Sequence, residues 1–282
     1  MEKNKTWLKI IKPKSGLLDI DYKELAQKKD LIFLFVRREF VAKYKQTILG
    51  PAWAIIQPLL TTVVFTLIFG HIAHISSNEV PSFIFYLAGT IIWGFFSNCF
   101  SHTANTFIEN KEILGKVYFP RLVMPISAVL SQLISFVIQF AFMLCFIIYY
   151  LCMGVAVKPN IYMLMTPLLL LQMGILSLGF GIIVSALTTK YRDLAMLITF
   201  GVHLWQYASP VAYDTSIIPD RILGAYMLNP VTPIIIAFKY AYLGIGGIDW
   251  YYYGISWLTT FIVLLFGLLL FSRVEKTFMD TI

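Results

Sequence analysis

Residues 52–70 read AWAIIQPLLTTVVFTLIFG, with no Asp, Glu, Lys or Arg among them. A helix needs about 20 mostly apolar residues to cross the hydrocarbon core of a bilayer, so this stretch places the chain in a membrane. The charge-free run around it extends from Gln46 to Asn78, and a Ser76-Ser77-Asn78-Glu79 turn ends it. Five comparable runs follow: Val80 to Ile108, centred on Phe83 to Phe100, then Leu122 to Val157, Pro159 to Thr189, Leu194 to Tyr213 and Trp250 to Ser272. Composition agrees, since 13% of the residues are charged against roughly 25% in soluble domains. The expectation is an all-α polytopic membrane protein with six transmembrane helices.

Two shorter apolar pieces, Ile222 to Phe238 and Tyr240 to Ile248, lie between the fifth and sixth runs. They are divided by Lys239 and broken by Pro230, Pro233 and Gly244. Short, interrupted pieces of this kind dip into one face of a bilayer more readily than they cross it, which predicts a re-entrant hairpin.

The formal charge of +7 could serve nucleic acid, anionic lipid or the cytoplasmic loops of a membrane protein, and its placement decides. Alternate loops place 19 of the 22 Lys and Arg on one side, twelve of them before Gln46; only Lys158, Arg221 and Lys239 fall on the other. By the positive-inside rule both termini are cytoplasmic, as an even number of spans requires, and the partners are membrane lipid rather than nucleic acid. The charged first 30 residues lack an apolar core and cleavage site, so no signal peptide is expected and the first span directs insertion. This divides the chain into a cytoplasmic N-terminal segment (1–50), a transmembrane domain (51–272) and a cytoplasmic tail (273–282).

Asp21 and Glu24 resemble a capping box that opens a helix running toward Gln46. Phe33, Val36, Phe40, Tyr44 and Ile48 recur at spacings of three and four, with Arg37, Arg38, Lys43 and Lys45 largely off that line, which predicts an amphipathic interface helix. Leu49-Gly50-Pro51 then re-aims the chain into the membrane. In the fourth run Gly174, Ser177, Gly181 and Ser185 share a helical face suited to close packing. Ser209-Pro210-Val211-Ala212-Tyr213 ends the fifth, and Trp250 to Tyr253 open the sixth as an interfacial aromatic belt.

Several chemistries are excluded. No Gly-x-x-x-x-Gly-Lys-Ser/Thr occurs, so the chain builds no P-loop and does not hydrolyse ATP alone. His71 and His74 lack a third ligand, His102 and His203 read as structural, and Cys99, Cys145 and Cys152 read as buried small hydrophobes, so neither a metal site nor a disulfide is expected. No ionisable group except His203 falls at membrane depth, and no internal repeat is present, which argues against an ion-coupled carrier. Work is then supplied from outside the chain. A membrane glycosyltransferase or polymerase would need a catalytic carboxylate near a cleft, and Asp214, Asp220 and Asp249 form no compact motif.

The run from Arg38 to Trp53 (REFVAKYKQTILGPAW), Gln57-Pro58-Leu59, Phe69-Gly70, Asn110-Lys111, Lys116 to Arg121 (KVYFPR), Tyr191-Arg192-Asp193 and Ser209 to Tyr213 (SPVAY) together resemble the permease subunit of bacterial ABC exporters for O-antigen and related polysaccharides. The resemblance implies an interface helix, six spans and a re-entrant pair. It also implies a permease homodimer with two copies of a separate ATPase that carries ATP and Mg, exporting a polyprenyl-diphosphate-linked glycan across the inner membrane. This chain would itself hold no cofactor. Teichoic-acid and capsule export stay open as alternatives.

On that reading the mixed-charge loops Glu109, Asn110, Lys111 and Glu112, and Tyr191, Arg192 and Asp193, with Arg37, Arg38 and Tyr44, face the ATPase. A glycan path needs aromatic faces and uncharged polar tips, which Trp53, Gln57 and Phe65, Tyr86, Trp93 and Phe96, and Trp205, Gln206 and Tyr207 offer from the first, second and fifth spans.

Overall fold

The computed structural model describes residue 25 and residues 27–45, 47–72, 80–114, 116, 117, 119–188 and 194–281. Among these, the regular secondary structure is helical, joined by turns and irregular segments, and no strand occurs. Helix α1 (Lys29–Tyr44) is followed by a tight turn at Gly50–Ala52, where Gly50 adopts a left-handed φ of 50° and Pro51 sits at the helix start. The chain then enters α2 (Trp53–Phe65), which runs on as a π-helical segment over Thr66–Ile72. Helices α3 (Ser82–Glu109), α4 (Lys111–Leu114), α5 (Val123–Cys152) and α6 (Thr166–Thr188) follow. A single 3-10 turn, Ile161–Met165, extends α6 at its start. After α7 (Leu194–Tyr207) come the short α8 (Asp220–Met227), α9 (Val231–Leu243) and α10 (Trp250–Thr281).

Five of these segments are long and apolar enough to cross a membrane: Gly50–Ile72, Ser82–Glu109, Val123–Cys152, Ile161–Thr188 and Trp250–Arg273. The chain is a multi-pass membrane protein. The fifth expected span is shorter than its charge-free run. Helix α7 contributes 14 residues, about 21 Å at 1.5 Å per residue, against a hydrocarbon core of about 30 Å. It stops at Tyr207 because Ser209 turns its hydroxyl back onto the Trp205 carbonyl (2.9 Å) and Pro210 has no N–H to continue the helix.

The expected hairpin occupies the space that α7 leaves. Helices α8 and α9 meet at 99°. At the bend, Asn229 accepts from the Trp205 indole (3.0 Å) and donates to Ala208 O and Ser209 Oγ, which ties it to the end of α7. The far end of α9 is hydrogen-bonded to the connection between α5 and α6, through Lys158 N to Leu243 O (3.3 Å) and Asn160 N to Ala241 O (3.0 Å). Asp214, just before α8, and Asp249, just before α10, line one pocket, so the hairpin enters and leaves on a single side.

The core is α3 flanked by α5 and α6, with α10 laid along the other side of α6. Residues Ile84 to Trp93 of α3 are buried without interruption. The small residues expected on one face of α6 are all buried, and an added Cβ at Gly181 would strike Thr103 of α3 at 2.4 Å. A second close approach joins α6 and α10: a Cβ at Gly179 would lie 2.9 Å from the backbone of Leu264, and one at Gly267 would lie 2.8 Å from Gly179 O. Small residues let α6 and α10 come together at backbone distance, the main source of dispersion energy where lipid removes the hydrophobic drive between helices.

Three further expectations change. Lys239 is not an outer loop charge: it is 5% exposed and its Cε lies 3.1 Å from where a Cβ on Gly89 would stand, about 10 Å along α3 from Ser82. Cys99 is buried, but Cys145 and Cys152 lie on the exposed face of α5, because only one stripe of α5 packs inward. The apolar line expected on α1 is also rotated. Val36 and Tyr44 are buried together with Phe35, whereas Phe33 and Ile48 are exposed. The seat that α1 occupies explains this shift. The capping pair Asp21 and Glu24, together with Lys14, Lys190, His74 and the 76–79 turn, lies outside the described residues.

Candidate functional site

The seat of α1 is a row of serines on α5. Ser127, Ser131 and Ser135 recur every four residues and therefore lie on one face of the helix. Ser127 Oγ donates to Ile32 O (3.4 Å), the Ser131 hydroxyl donates to the Glu39 carboxylate, and Ser135 Oγ meets both Tyr44 OH (3.0 Å) and Lys43 Nζ (3.3 Å). Ser127 and Ser131 also reach carbonyls of their own helix, at Val123 O (2.7 Å) and Ala128 O (2.8 Å), and α1 adds partners across the contact. Phe35 adds an aromatic contact with Phe119 at 5.7 Å. This polar face, not the apolar line at spacings of three and four, sets the rotation of α1. A Ser repeat with period four inside an apolar run was the signal that could have revealed it.

The loop between α3 and α5 closes against the same helix. Asn110 is buried, donates to Thr106 O at 2.9 Å and accepts from the Arg38 guanidinium, whose carbon lies 5.2 Å from the Phe35 ring centre. Of the residues expected to face an ATPase, Arg37, Glu109, Lys111 and Glu112 are exposed at this end of the molecule, as is Arg38 in part of its side chain. Tyr44 and Asn110 point inward: their polar groups are used within the chain, Tyr44 on the buried Ser135 and Asn110 on Thr106 O and the exposed Arg38. Tyr191, Arg192 and Asp193 lie outside the described residues.

The nine aromatic and Gln residues expected along a glycan path separate into two sets. Phe65, Tyr86, Trp93 and Phe96 are buried inside the chain's own helix packing, Trp93 at 3% exposure. Trp205 joins them, with its ring 5.1 Å from Phe96, 6.3 Å from Trp93 and 5.3 Å from Phe180. This aromatic cluster is where α7 docks on α3 and α6. Trp53, Gln57 and Tyr207 are exposed, and Gln206 is half-buried. The division follows from helical geometry, since residues on one short helix cannot all face the same way. Trp93 and Phe96, three apart on α3, share a face that is already filled by Trp205.

At the hairpin end, Lys239 Nζ donates to Pro210 O (2.7 Å) and Val211 O (3.0 Å) and lies 3.5 Å from the centre of the Phe85 ring. The charge is thus met by two carbonyl dipoles and an aromatic face. Gly89 allows this, because its Cβ would stand 2.6 Å from Val211 O. The amine pins the 210–211 turn, and with it the end of α7, to α9. Among the described residues no cluster of three or more His, Cys, Asp or Glu is arranged to hold a metal.

The arrangement is that of a helical membrane unit with a polar-seated helix at one end and a pinned re-entrant hairpin at the other, and the family model for ABC-2 type transporters matches it over residues 30–243, from α1 through α9. The chain belongs to the ABC-2 type transporter family. Similar proteins include two from Klebsiella pneumoniae named O-antigen export system permease protein RfbA, each 25% identical over 253 residues, covering 89% of this chain and 94% of those proteins. A protein of the same name from Myxococcus xanthus is 29% identical over 220 residues, covering 77% of this chain and 82% of its own length. In this ABC-2 transporter, then, both the α1 seat and the hairpin fall within the family-matched region.

Proposed function

We propose that this chain is the permease subunit of an ATP-driven exporter moving a polyprenyl-diphosphate-linked, O-antigen-type polysaccharide across the bacterial cytoplasmic membrane. The observation that carries this reading is the alignment of O-antigen export permeases over at least 77% of this chain and 82% of their own length. ATP and Mg belong to a separate ATPase subunit, two copies of which serve a permease homodimer. The charge bias supports cytoplasmic termini, an α1 end in the cytoplasm and a hairpin end outside. Exposed Arg37, Glu109, Lys111 and Glu112, with Tyr191, Arg192 and Asp193, form the ATPase-facing surface. Arg38, Asn110 and Tyr44 act behind it and carry movement into α5.

The second copy is supported by polar groups on otherwise apolar exposed faces. Gln57 on α2 and His203 on α7 are exposed among Leu60, Val64, Phe200 and Leu204. Such groups are costly against lipid and are met by a partner helix or a hydrated passage. Trp53, Gln57, Gln206 and Tyr207 line that passage, and the buried aromatic cluster stiffens the wall behind them. The test is reconstitution with the cognate ATPase in vesicles loaded with labelled lipid-linked glycan. Translocation is expected only with both subunits and hydrolysable ATP; translocation by the permease without the ATPase would overturn the reading.

A further inference from the structure

The hairpin end contains an open pocket of about 150 Å³ between the turn after α7, Leu223 and Met227 of α8, helix α9, the loop 245–249 and the start of α10. The pocket opens to the surface past the exposed Gly246, Gly247 and Asp249, so a sugar ring can enter with its exocyclic groups projecting outward. Tyr213, Asp214, Asp249 and Tyr252 contribute to its lining, with Lys239 and Ile236 from α9. Each carboxylate is held in place by backbone. Asp214 Oδ1 accepts from Ser216 N (2.8 Å), and Asp249 Oδ1 accepts from Tyr251 N (3.0 Å). A carboxylate has about four acceptor sites, so both retain capacity for a ligand's hydroxyl groups. Tyr213 is also positioned by its own bonds, donating to Tyr207 O (2.8 Å) and accepting from Tyr226 (3.1 Å).

The charges narrow the ligand class. Two carboxylates against one buried ammonium leave the pocket negative, which repels phosphate and uronic acid. With no third acidic or imidazole ligand among the described residues, the pair does not make a metal site. What fits is an uncharged ring rich in hydroxyl donors with an apolar face that an aromatic side chain can cover. We propose that this pocket is a sugar subsite, in which Asp214 and Asp249 accept hydrogen bonds from the hydroxyl groups of one neutral pyranose ring of the transported glycan while Tyr213 and Tyr252 contact its C–H face. The proposal rests on the export reading for the origin of the sugar, and it puts a contact for the glycan at the end of the route opposite α1. Because the Ser209 to Tyr213 turn connects the pocket to α7, an occupied subsite is coupled to the helix that bears Tyr207.

The test uses the full chain in lipid nanodiscs, without ATPase or ATP, and saturation-transfer NMR with methyl glycosides of neutral hexoses and with a methyl glucuronide. At least one neutral glycoside is expected to bind at millimolar concentration, and the glucuronide is not. The double variant Asp214→Asn/Asp249→Asn keeps an acceptor for each backbone N–H, since Asn caps as well as Asp, and is expected to weaken binding about tenfold or more. Ile236→Phe, which fills the cavity, is expected to abolish it. An unchanged unfolding temperature shows that the variants are intact. Absence of binding by any neutral glycoside, equal binding of the glucuronide, or wild-type binding by Ile236→Phe would each overturn the subsite. None of these outcomes bears on ATP-driven export, so the subsite and the export reading fail separately.

Discussion

Arg38 and Asn110, 72 positions apart in the chain, are joined by a hydrogen bond from the guanidinium to the amide oxygen. This ties α1 to the loop at the end of α3, so a push on either reaches both α5, through the serine row, and the core helix. Asn110→Ala leaves the cation without this acceptor and is expected to cost about 1–2 kcal/mol, discounted for the exposed side of Arg38. Export per ATP hydrolysed is expected to fall while basal hydrolysis by the assembled complex holds. Coupling equal to wild type in both Asn110→Ala and Arg38→Ala would remove this link from the mechanism.

The contact between Gly179 and Gly267 gives a stability prediction with internal controls. Gly179→Ala and Gly267→Ala push a methyl into backbone at 2.9 and 2.8 Å, an overpacking that costs about 1–3 kcal/mol. Gly94→Ala and Gly254→Ala meet nothing within 4 Å and are expected to be neutral or slightly stabilising, as Ala favours helix over Gly. Thermal unfolding in detergent orders the four variants, and a reversed order would refute the packing.

Lys239 holds the hairpin by two bonds. Lys239→Met removes both and leaves the Pro210 and Val211 carbonyls without this donor, at a cost of about 2 kcal/mol or more. The 208–213 turn should then open. A cysteine placed at Ala212 is expected to react with an impermeant reagent much faster in the Lys239→Met background, and equal rates would show that the amine is not the pin.

For orientation, single cysteines at Glu109 and Lys111 are expected to be protected from an impermeant reagent in intact cells, and those at Lys158 and Asp220 to be labelled. Cys145 and Cys152 are exposed on α5, so both are first replaced by Ser. External labelling at Lys111 would invert the topology.

Trp93 and Tyr207 separate wall from lining. Trp93→Ala empties a buried site and is expected to lower stability by about 3–5 kcal/mol, with export lost through poor folding. Tyr207, 56% exposed, is expected to tolerate Ala with normal expression and basal ATPase activity but reduced glycan export. Normal export from Trp53→Ala/Tyr207→Ala would place the passage elsewhere.

What the sequence determined by itself is whatever depends on local composition. Charge-free length marked the long spans, because the bilayer sets a minimum number of apolar residues independent of any neighbour. Pro230, Pro233 and Gly244 likewise made the bent pair legible, since backbone limits act within a few residues. The tertiary structure alone decided which faces meet. The rotation of α1 depends on the serines of α5 some 92 positions away. The depth of Lys239 depends on carbonyls 28 and 29 positions earlier, and the burial of Trp93 on Trp205. In an apolar chain, periodicity shows poorly which helical face packs and which meets lipid, because both are hydrophobic. Direction is then set by pairs of polar groups and by close-fitting small residues, whose partners are known only once the chain has folded.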